Sequence, residues 1–200
     1  MATDEEKLRE LLQIAKENGA TDAKIIDTND IVIDKRVRLK CAIPLCSGYG
    51  RQLLCPPNLM PVDEFREIVK LYKKALIIQV EADVDSSDKS DQTLTDELCE
   101  RVEPKLAKWR EQLHYLVNKV ETSAFKRGFY FAAGLIGGDC CLCEECVTPQ
   151  SNEACRHPFE SRPSMEAMGI DVHKTCQKIG LPLALSSKEK VRWTGLILLV

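Results

Sequence analysis

The sequence of residues 106–136 is LAKWREQLHYLVNKVETSAFKRGFYFAAGLI, and this stretch decides the fold class. Its first part carries an apolar stripe at helical spacing, formed by Leu106, Trp109, Leu113, Leu116, Val117 and Val120. Lys126 and Arg127 suit the last turn of that helix, and Gly128 suits its C-terminal cap. Phe129 to Ile136 is almost wholly apolar, which predicts a central strand covered on both faces. A helix that leads directly into a buried strand is typical of an α/β protein.

The rest of the chain also alternates helices with strands. Thr3 and Glu6 have capping-box spacing ahead of a helix that ends near Gly19. Further helices are predicted at 62–72, at 94–102 with a break or restart at Pro104, and from Asp171 to Gly180. Strands are predicted at 23–27, 31–33, 75–81 and 191–200. We therefore predict a single α/β domain over residues 1–200, with a mixed sheet flanked by helices. Two cysteine-rich metal-binding loops, at about residues 40–60 and 137–162, are placed at the edge of that sheet.

The composition argues against several classes of protein. The 200 residues are 44% hydrophobic and 30% charged, as in globular proteins and unlike disordered chains. A net charge of −3 without any block of lysine and arginine argues against nucleic-acid binding. The N-terminal residues lack the pattern of a signal peptide, and no apolar run reaches the roughly 20 residues that span a bilayer. We therefore expect no membrane association, and a cytoplasmic protein whose cysteines stay reduced.

The ten cysteines exceed what packing requires in a chain of this size. Cys140, Cys143 and Cys146 follow a C-x2-C-x2-C pattern, and Cys155 follows after eight further residues. Bacterial ferredoxins use the same opening spacing to attach one thiolate to each iron of a cluster. These four residues, the second cysteine group, therefore predict a [4Fe–4S] cluster. The alternative is a tetrahedral zinc site, but a third cysteine in the same register favours iron.

The first cysteine group consists of Cys41, Cys46 and Cys55, with the spacing C-x4-C-x8-C. Three thiolates do not complete a cluster, so this group needs a borrowed cysteine, a non-cysteine ligand or an open iron. Cys141 lies beside Cys140 and should point elsewhere, which makes it our candidate for the extra metal ligand. Without a metal of its own, the group would contribute ligands to one shared site or consist of structural thiols.

The remaining cysteines give no evidence for an enzyme, and the known catalytic motifs are absent from the sequence. Cys99 and Cys176 lie on apolar helical faces, where free cysteine packs as a small hydrophobic residue. The sequence contains no P-loop, no dinucleotide-binding glycine motif in a strand-to-helix context, and no H-E-x-x-H or Ser/His/Asp pattern. Whether the protein is an enzyme is therefore left open at this stage.

The second loop also carries a family resemblance. Its sequence is GGDCCLCEEC at residues 137–146, followed by CRHP at 155–158 and RPSMEAMGIDV at 162–172. These motifs, together with CPP at 55–57, resemble small prokaryotic cysteine-rich proteins catalogued as predicted metal-binding proteins of unknown function. The resemblance covers nearly the whole chain and implies that the seven cysteines of the two groups are metal positions. It also implies a role beside anaerobic metabolism, including corrinoid methyl transfer.

Our first hypothesis is an electron-transfer protein that carries one or two [4Fe–4S] clusters and serves an anaerobic redox partner. If the first cysteine group leaves one iron open, that iron would bind a small substrate as a Lewis acid, and the protein would be an enzyme. The alternative from another class is a zinc-binding structural or adaptor protein. A carrier that delivers metal or a cluster to another protein is a further hypothesis.

Overall fold

A computed structural model describes residues 2–82, 96–183 and 191–200, with the backbone alone for residues 96–106. The helices of this part of the chain are α1 (Asp4–Glu17), α2 (Leu39–Ala42), α3 (Val62–Val69), α4 (Asp96–Lys126) and α5 (Val172–Ile179). Its strands are β1 (Asp22–Asp27), β2 (Lys74–Glu81), β3 (Ala133–Leu135) and β4 (Arg192–Leu198). Helices and strands together confirm the predicted α/β class. None of the helices in these ranges has the length and apolar character needed to cross a membrane.

The four strands form one sheet in the order β1-β2-β4-β3. Each neighbouring pair is antiparallel, and the long central ladder joins β2 to β4, with Leu76 opposite Ile197. One parallel bridge, between Ile136 and Ser164, continues the sheet beyond β3. That bridge brings the residues after the second cysteine group back to the sheet edge.

Helices cover both faces of the sheet. In β2, Leu76 and Ile78 belong to the core on the side of α1 and α4. Ala75 and Ile77 belong to the core on the opposite side, with α3 and α5. Because both faces are covered, the six residues from Ala75 to Val80 are all buried, and five of them are apolar instead of alternating with polar residues.

Local capping groups set the ends of α1 and α5 where the sequence predicted them. Thr3 Oγ1 accepts a hydrogen bond from Glu6 N at 3.3 Å, and Glu6 Oε2 accepts one from Thr3 N at 2.7 Å. Asp171 Oδ1 accepts from Lys174 N at 3.0 Å at the start of α5. Gly180 ends that helix with a φ of 70°, which glycine adopts without strain.

The predicted central strand at 129–136 was wrong. After α4 the chain turns back, with Phe129 N donating to Ala124 O at 3.1 Å. The side chain of Phe131 is 83% exposed, and only Ala133–Leu135 pair with the sheet, at its edge. Because of this turn, residues 129–132 are not part of the strand. β3 lies at the edge of the sheet, and β2 and β4 are its central strands.

Two smaller predictions also failed. The apolar residues 31–33 make a single bridge, between Ile33 and Ile170, instead of a strand. Helix α4 continues through Pro104, where a break or restart was predicted. The N-terminal part of the predicted 94–102 helix lies partly outside the described residues.

Candidate metal centre

The four cysteines of the second group line one small cavity. Cys140, Cys143, Cys146 and Cys155 surround a space of about 60 Å³, and all four residues are partly buried. The remaining walls include residues 52–54 of the first loop. A single water molecule needs roughly 10–15 Å³ of such space, so this cavity is several times larger. Thiols from two separate stretches of the loop thus line one small cavity.

Hydrogen bonds position Cys155 beside this cavity. Its thiol donates to Ser161 Oγ at 3.4 Å, and its sulfur accepts from His157 N at 3.4 Å. Arg156 Nη1 donates to Glu145 O at 2.8 Å and thereby links the two stretches of the loop. Amide and hydroxyl groups that donate to a thiolate stabilise its charge and tune a bound cluster.

Helix α4 anchors the end of the second loop. The Glu160 carbonyl accepts from His114 Nε2 and from Asn118 Nδ2, each at 2.8 Å. Burial lowers the pKa of His114, so its ring is neutral and carries its proton on Nε2. Arg162 Nε donates to Glu121 Oε2 at 2.6 Å, and these two side chains are only 18% and 15% exposed.

The three cysteines of the first group line a second, larger cavity. Cys41, Cys46 and Cys55 share a space of about 490 Å³. Sites for small molecules span about 300–1,000 Å³, so this volume could admit a ligand as well as a metal. Cys46 N donates to Cys41 O at 3.0 Å and closes the first turn of the loop. A Cβ at Gly48 would lie 3.0 Å from Cys55 Sγ, so glycine lets the backbone pass close to that thiol.

Burial raises the pKa of three of the cysteines that line the two cavities. Burial, followed by the charge of Asp139, raises the pKa of Cys55 to about 12. Burial also raises the pKa of Cys41, while the charge of Arg38 opposes that shift. Burial is also the main cause of the raised pKa of Cys140. A metal would therefore have to displace these protons on binding.

A polar bridge joins the two cysteine loops. Asp139 Oδ1 accepts from Arg110 Nη1 at 3.0 Å, and Asp139 Oδ2 accepts from Gln52 Nε2 at 3.1 Å. Leu54 lines both cavities. The two cysteine groups therefore line neighbouring cavities that share Leu54 in their walls.

The donor chemistry fits a thiolate-bound metal. Across the described residues, no three His, Cys, Asp or Glu side chains are drawn together tightly enough to hold a metal ion. The cysteines instead surround cavities, and the nine whose side chains are described are free thiols. Four sulfurs match the ligand set of a [4Fe–4S] cluster or a zinc ion, and three sulfurs leave one position to be supplied.

A family model described as "Predicted metal-binding protein (DUF2284)" matches residues 24–199. The chain belongs to that family. The match includes both cysteine groups, so it confirms the resemblance predicted from the loop motifs. No curated protein and no solved structure matches the chain significantly.

Three cysteines of this DUF2284 chain belong to neither cysteine group. Cys141, our candidate for an extra ligand, lines neither cavity. Burial raises the pKa of Cys141, and the charge of the nearby Arg110 opposes the shift. Cys176 is fully buried in the core, as predicted. The side chain of Cys99 lies outside the described residues.

Sequence reasoning did not identify three residues of the larger cavity, Arg110, Glu166 and Trp193. Glu166 Oε2 and Trp193 Nε1 are buried and have no hydrogen-bond partner among the described residues. Burial also raises the pKa of Glu166. Glu166 falls within the run RPSMEAMGIDV that carries the resemblance to the DUF2284 family. This run was the one sequence signal that pointed to Glu166. Arg110 is one of many charged residues on its helix, and no sequence signal distinguished it from the others.

Proposed function

We propose that this chain is an iron–sulfur protein of the cytoplasm that passes single electrons to a partner enzyme. The observation that carries the proposal is the convergence of Cys140, Cys143, Cys146 and Cys155 on one cavity. Three cysteines in one C-x2-C-x2-C register favour a polynuclear cluster over a single zinc ion, which usually takes two cysteines from one knuckle and a pair from elsewhere. When bound, a [4Fe–4S] cluster supplies one-electron redox chemistry.

The neighbouring first group supports a second cluster. Cys41, Cys46 and Cys55 line the adjacent cavity, and Leu54 forms part of the wall between the two. Two clusters in these neighbouring cavities would form a short path for an electron. This arrangement favours electron transfer over a purely structural role for the metal.

Exposed acidic side chains provide a docking surface for the redox partner. Glu144 and Glu145 are exposed and directly follow the partly buried Cys143. Negative charge at this point would attract a partner with a basic surface and bring it close to the cluster. The resemblance to metal-binding companions of anaerobic metabolism supports an anaerobic partner, including an enzyme of corrinoid or methyl-transfer metabolism.

A second candidate function is an enzyme that uses an open iron of the first group. The observation in its favour is the cavity of about 490 Å³, which has the size of a ligand site. Arg110, Tyr49 and Trp193 line this cavity and could contact a small polar substrate. The zinc-binding adaptor is the alternative without redox chemistry.

The test is the content of iron, sulfide and zinc in protein purified without oxygen, with absorption and EPR spectra of the same samples. We expect about eight irons and eight sulfides per chain in the wild type. Cys155→Ser and Cys55→Ser should each lose up to half of the iron, because each removes a ligand from a different cluster. Cys176→Ser is the matched control, since this cysteine lies outside both cavities, and it should keep all the iron.

The alternatives give different results in the same experiment. One or two zinc ions without sulfide or colour, even after anaerobic reconstitution, would contradict the electron-transfer proposal and favour the adaptor. A reduced spectrum that changes when a small ligand such as cyanide is added would favour the open-iron enzyme. Electron transfer alone predicts a spectrum insensitive to such ligands.

A further inference from the structure

The larger cavity contains a carboxylate in the position of a missing ligand. Glu166 lines this cavity together with Cys41, Cys46 and Cys55. The three thiols and this carboxylate thus surround a common volume.

The backbone around Glu166 is held rigidly. Ser164 Oγ accepts from Ala167 N at 3.0 Å, and Glu166 O accepts from Gly169 N at 2.9 Å. The flanking Met165 is fully buried in the core. This anchored turn holds the backbone of Glu166 in place beside the cavity, and ligands built on rigid elements are positioned more precisely than ligands on loose loops.

The carboxylate of Glu166 is only partly satisfied, by hydrogen bonds from the Ser164 side chain and from its own backbone N–H. Its Oε2 atom is buried and has no hydrogen-bond partner in the part of the chain that the structure describes. An ionised carboxylate in such a place is costly unless a cation or a donor compensates its charge. A bound iron would provide that compensation.

Other candidates for the fourth ligand are already engaged or lie elsewhere. Both carboxylate oxygens of Asp139 accept hydrogen bonds, one from Arg110 and one from Gln52. Cys141 does not line the cavity. Glu166 is therefore the candidate that combines position, charge and an unused oxygen.

We propose that Glu166 is the fourth ligand of a [4Fe–4S] cluster whose other three irons are bound by Cys41, Cys46 and Cys55. The inference rests on the iron–sulfur assignment proposed above. Glu166 would be the non-cysteine ligand that the three cysteines of the first group need to complete a cluster. A carboxylate is a harder donor than a thiolate, so it holds this one iron less firmly than the cysteines hold theirs. The resulting site has no open iron, which favours electron transfer over Lewis-acid catalysis.

The test compares Glu166→Gln with Asp139→Asn, two isosteric changes at carboxylates that line the same cavity. In anaerobically purified full-length protein, Glu166→Gln should contain about seven irons and eight sulfides per chain, against about eight of each in the wild type. A three-iron cluster has an odd electron count when oxidised and gives an EPR signal, whereas an oxidised four-iron cluster is silent. We therefore expect that signal in oxidised Glu166→Gln and not in oxidised Asp139→Asn.

A rescue variant separates ligation from folding. Glu166→Cys replaces the carboxylate by a thiolate and should restore about eight irons while removing the oxidised EPR signal. An unchanged iron count and a silent spectrum in Glu166→Gln would overturn the inference and leave the two-cluster proposal intact. The three-iron signal in Asp139→Asn would instead identify Asp139 as the ligand. A wild type with only four irons would remove the first cluster, and the Glu166 inference with it.

Discussion

Removal of the Arg162 side chain is the sharpest test of how the second loop is held. Its guanidinium makes three contacts: Nε to Glu121 Oε2 at 2.6 Å, Nη1 to Ser161 O at 2.8 Å and Nη2 to Phe159 O at 3.0 Å. These bonds tie the end of the second loop to α4. Arg162→Met keeps the length and the apolar stem of the side chain but removes all three.

The expected loss follows from the burial of the ion pair. Breaking a buried pair by removing one partner costs about 3–5 kcal/mol, because the other charge stays buried without compensation. Arg162 and Glu121 retain 18% and 15% exposure, so water partly screens the remaining carboxylate and the lower end applies. We expect Arg162→Met to lower the free energy of unfolding by about 3 kcal/mol. In a chain of this size that corresponds to a fall in Tm of roughly 6–12 °C.

The assay is urea unfolding of the metal-free, reduced protein, so that metal affinity does not contribute to the measured stability. A double-mutant cycle with Glu121→Leu isolates the pair, and we expect a coupling energy of about 2 kcal/mol. Additive effects of the two substitutions would refute the reasoning, since the pair would then contribute nothing of its own. In the metal-loaded protein, Arg162→Met should also lose iron faster than the wild type under a chelator.

Three further predictions concern the core and its buried titratable groups. A Cβ at Gly195 would lie 2.7 Å from Val117 Cγ2 and 3.1 Å from Leu135 O. Gly195→Ala should therefore lower the free energy of unfolding in urea by about 1–3 kcal/mol. An unchanged unfolding midpoint would contradict this close packing. Because burial lowers the pKa of His114 below its usual 6.5, the unfolded chain binds a proton that the folded chain excludes. Stability should therefore fall as the pH drops below 6.5, and His114→Gln should flatten that dependence, whereas an identical pH profile in the variant would argue against it. Burial raises the pKa of Cys176 to about 11, so iodoacetamide should modify it only after unfolding, and rapid labelling of the native protein would disprove its place in the core.

Local sequence signals predicted the elements whose ends depend on nearby residues. The capping box of Thr3 and Glu6 and the pair of Asp171 and Gly180 set helix ends through bonds that span only a few positions. The two cysteine groups were also visible, because the spacing within each loop limits which thiols can meet. The prediction failed at 129–136, where an apolar run predicts burial but cannot show that Phe131 remains at the surface.

The sequence by itself therefore determined the α/β class, most helices and strands, and the seven cysteines that line the two cavities. Only the tertiary structure decided the strand order, the proximity of the two loops and the place of Glu166 in the cavity of the first cysteine group. The physical reason is distance along the chain. Caps and periodic patterns act within a few residues. Glu166 lines the cavity of the first cysteine group although it lies more than 100 residues later in the chain, because the sheet and the core hold its turn there.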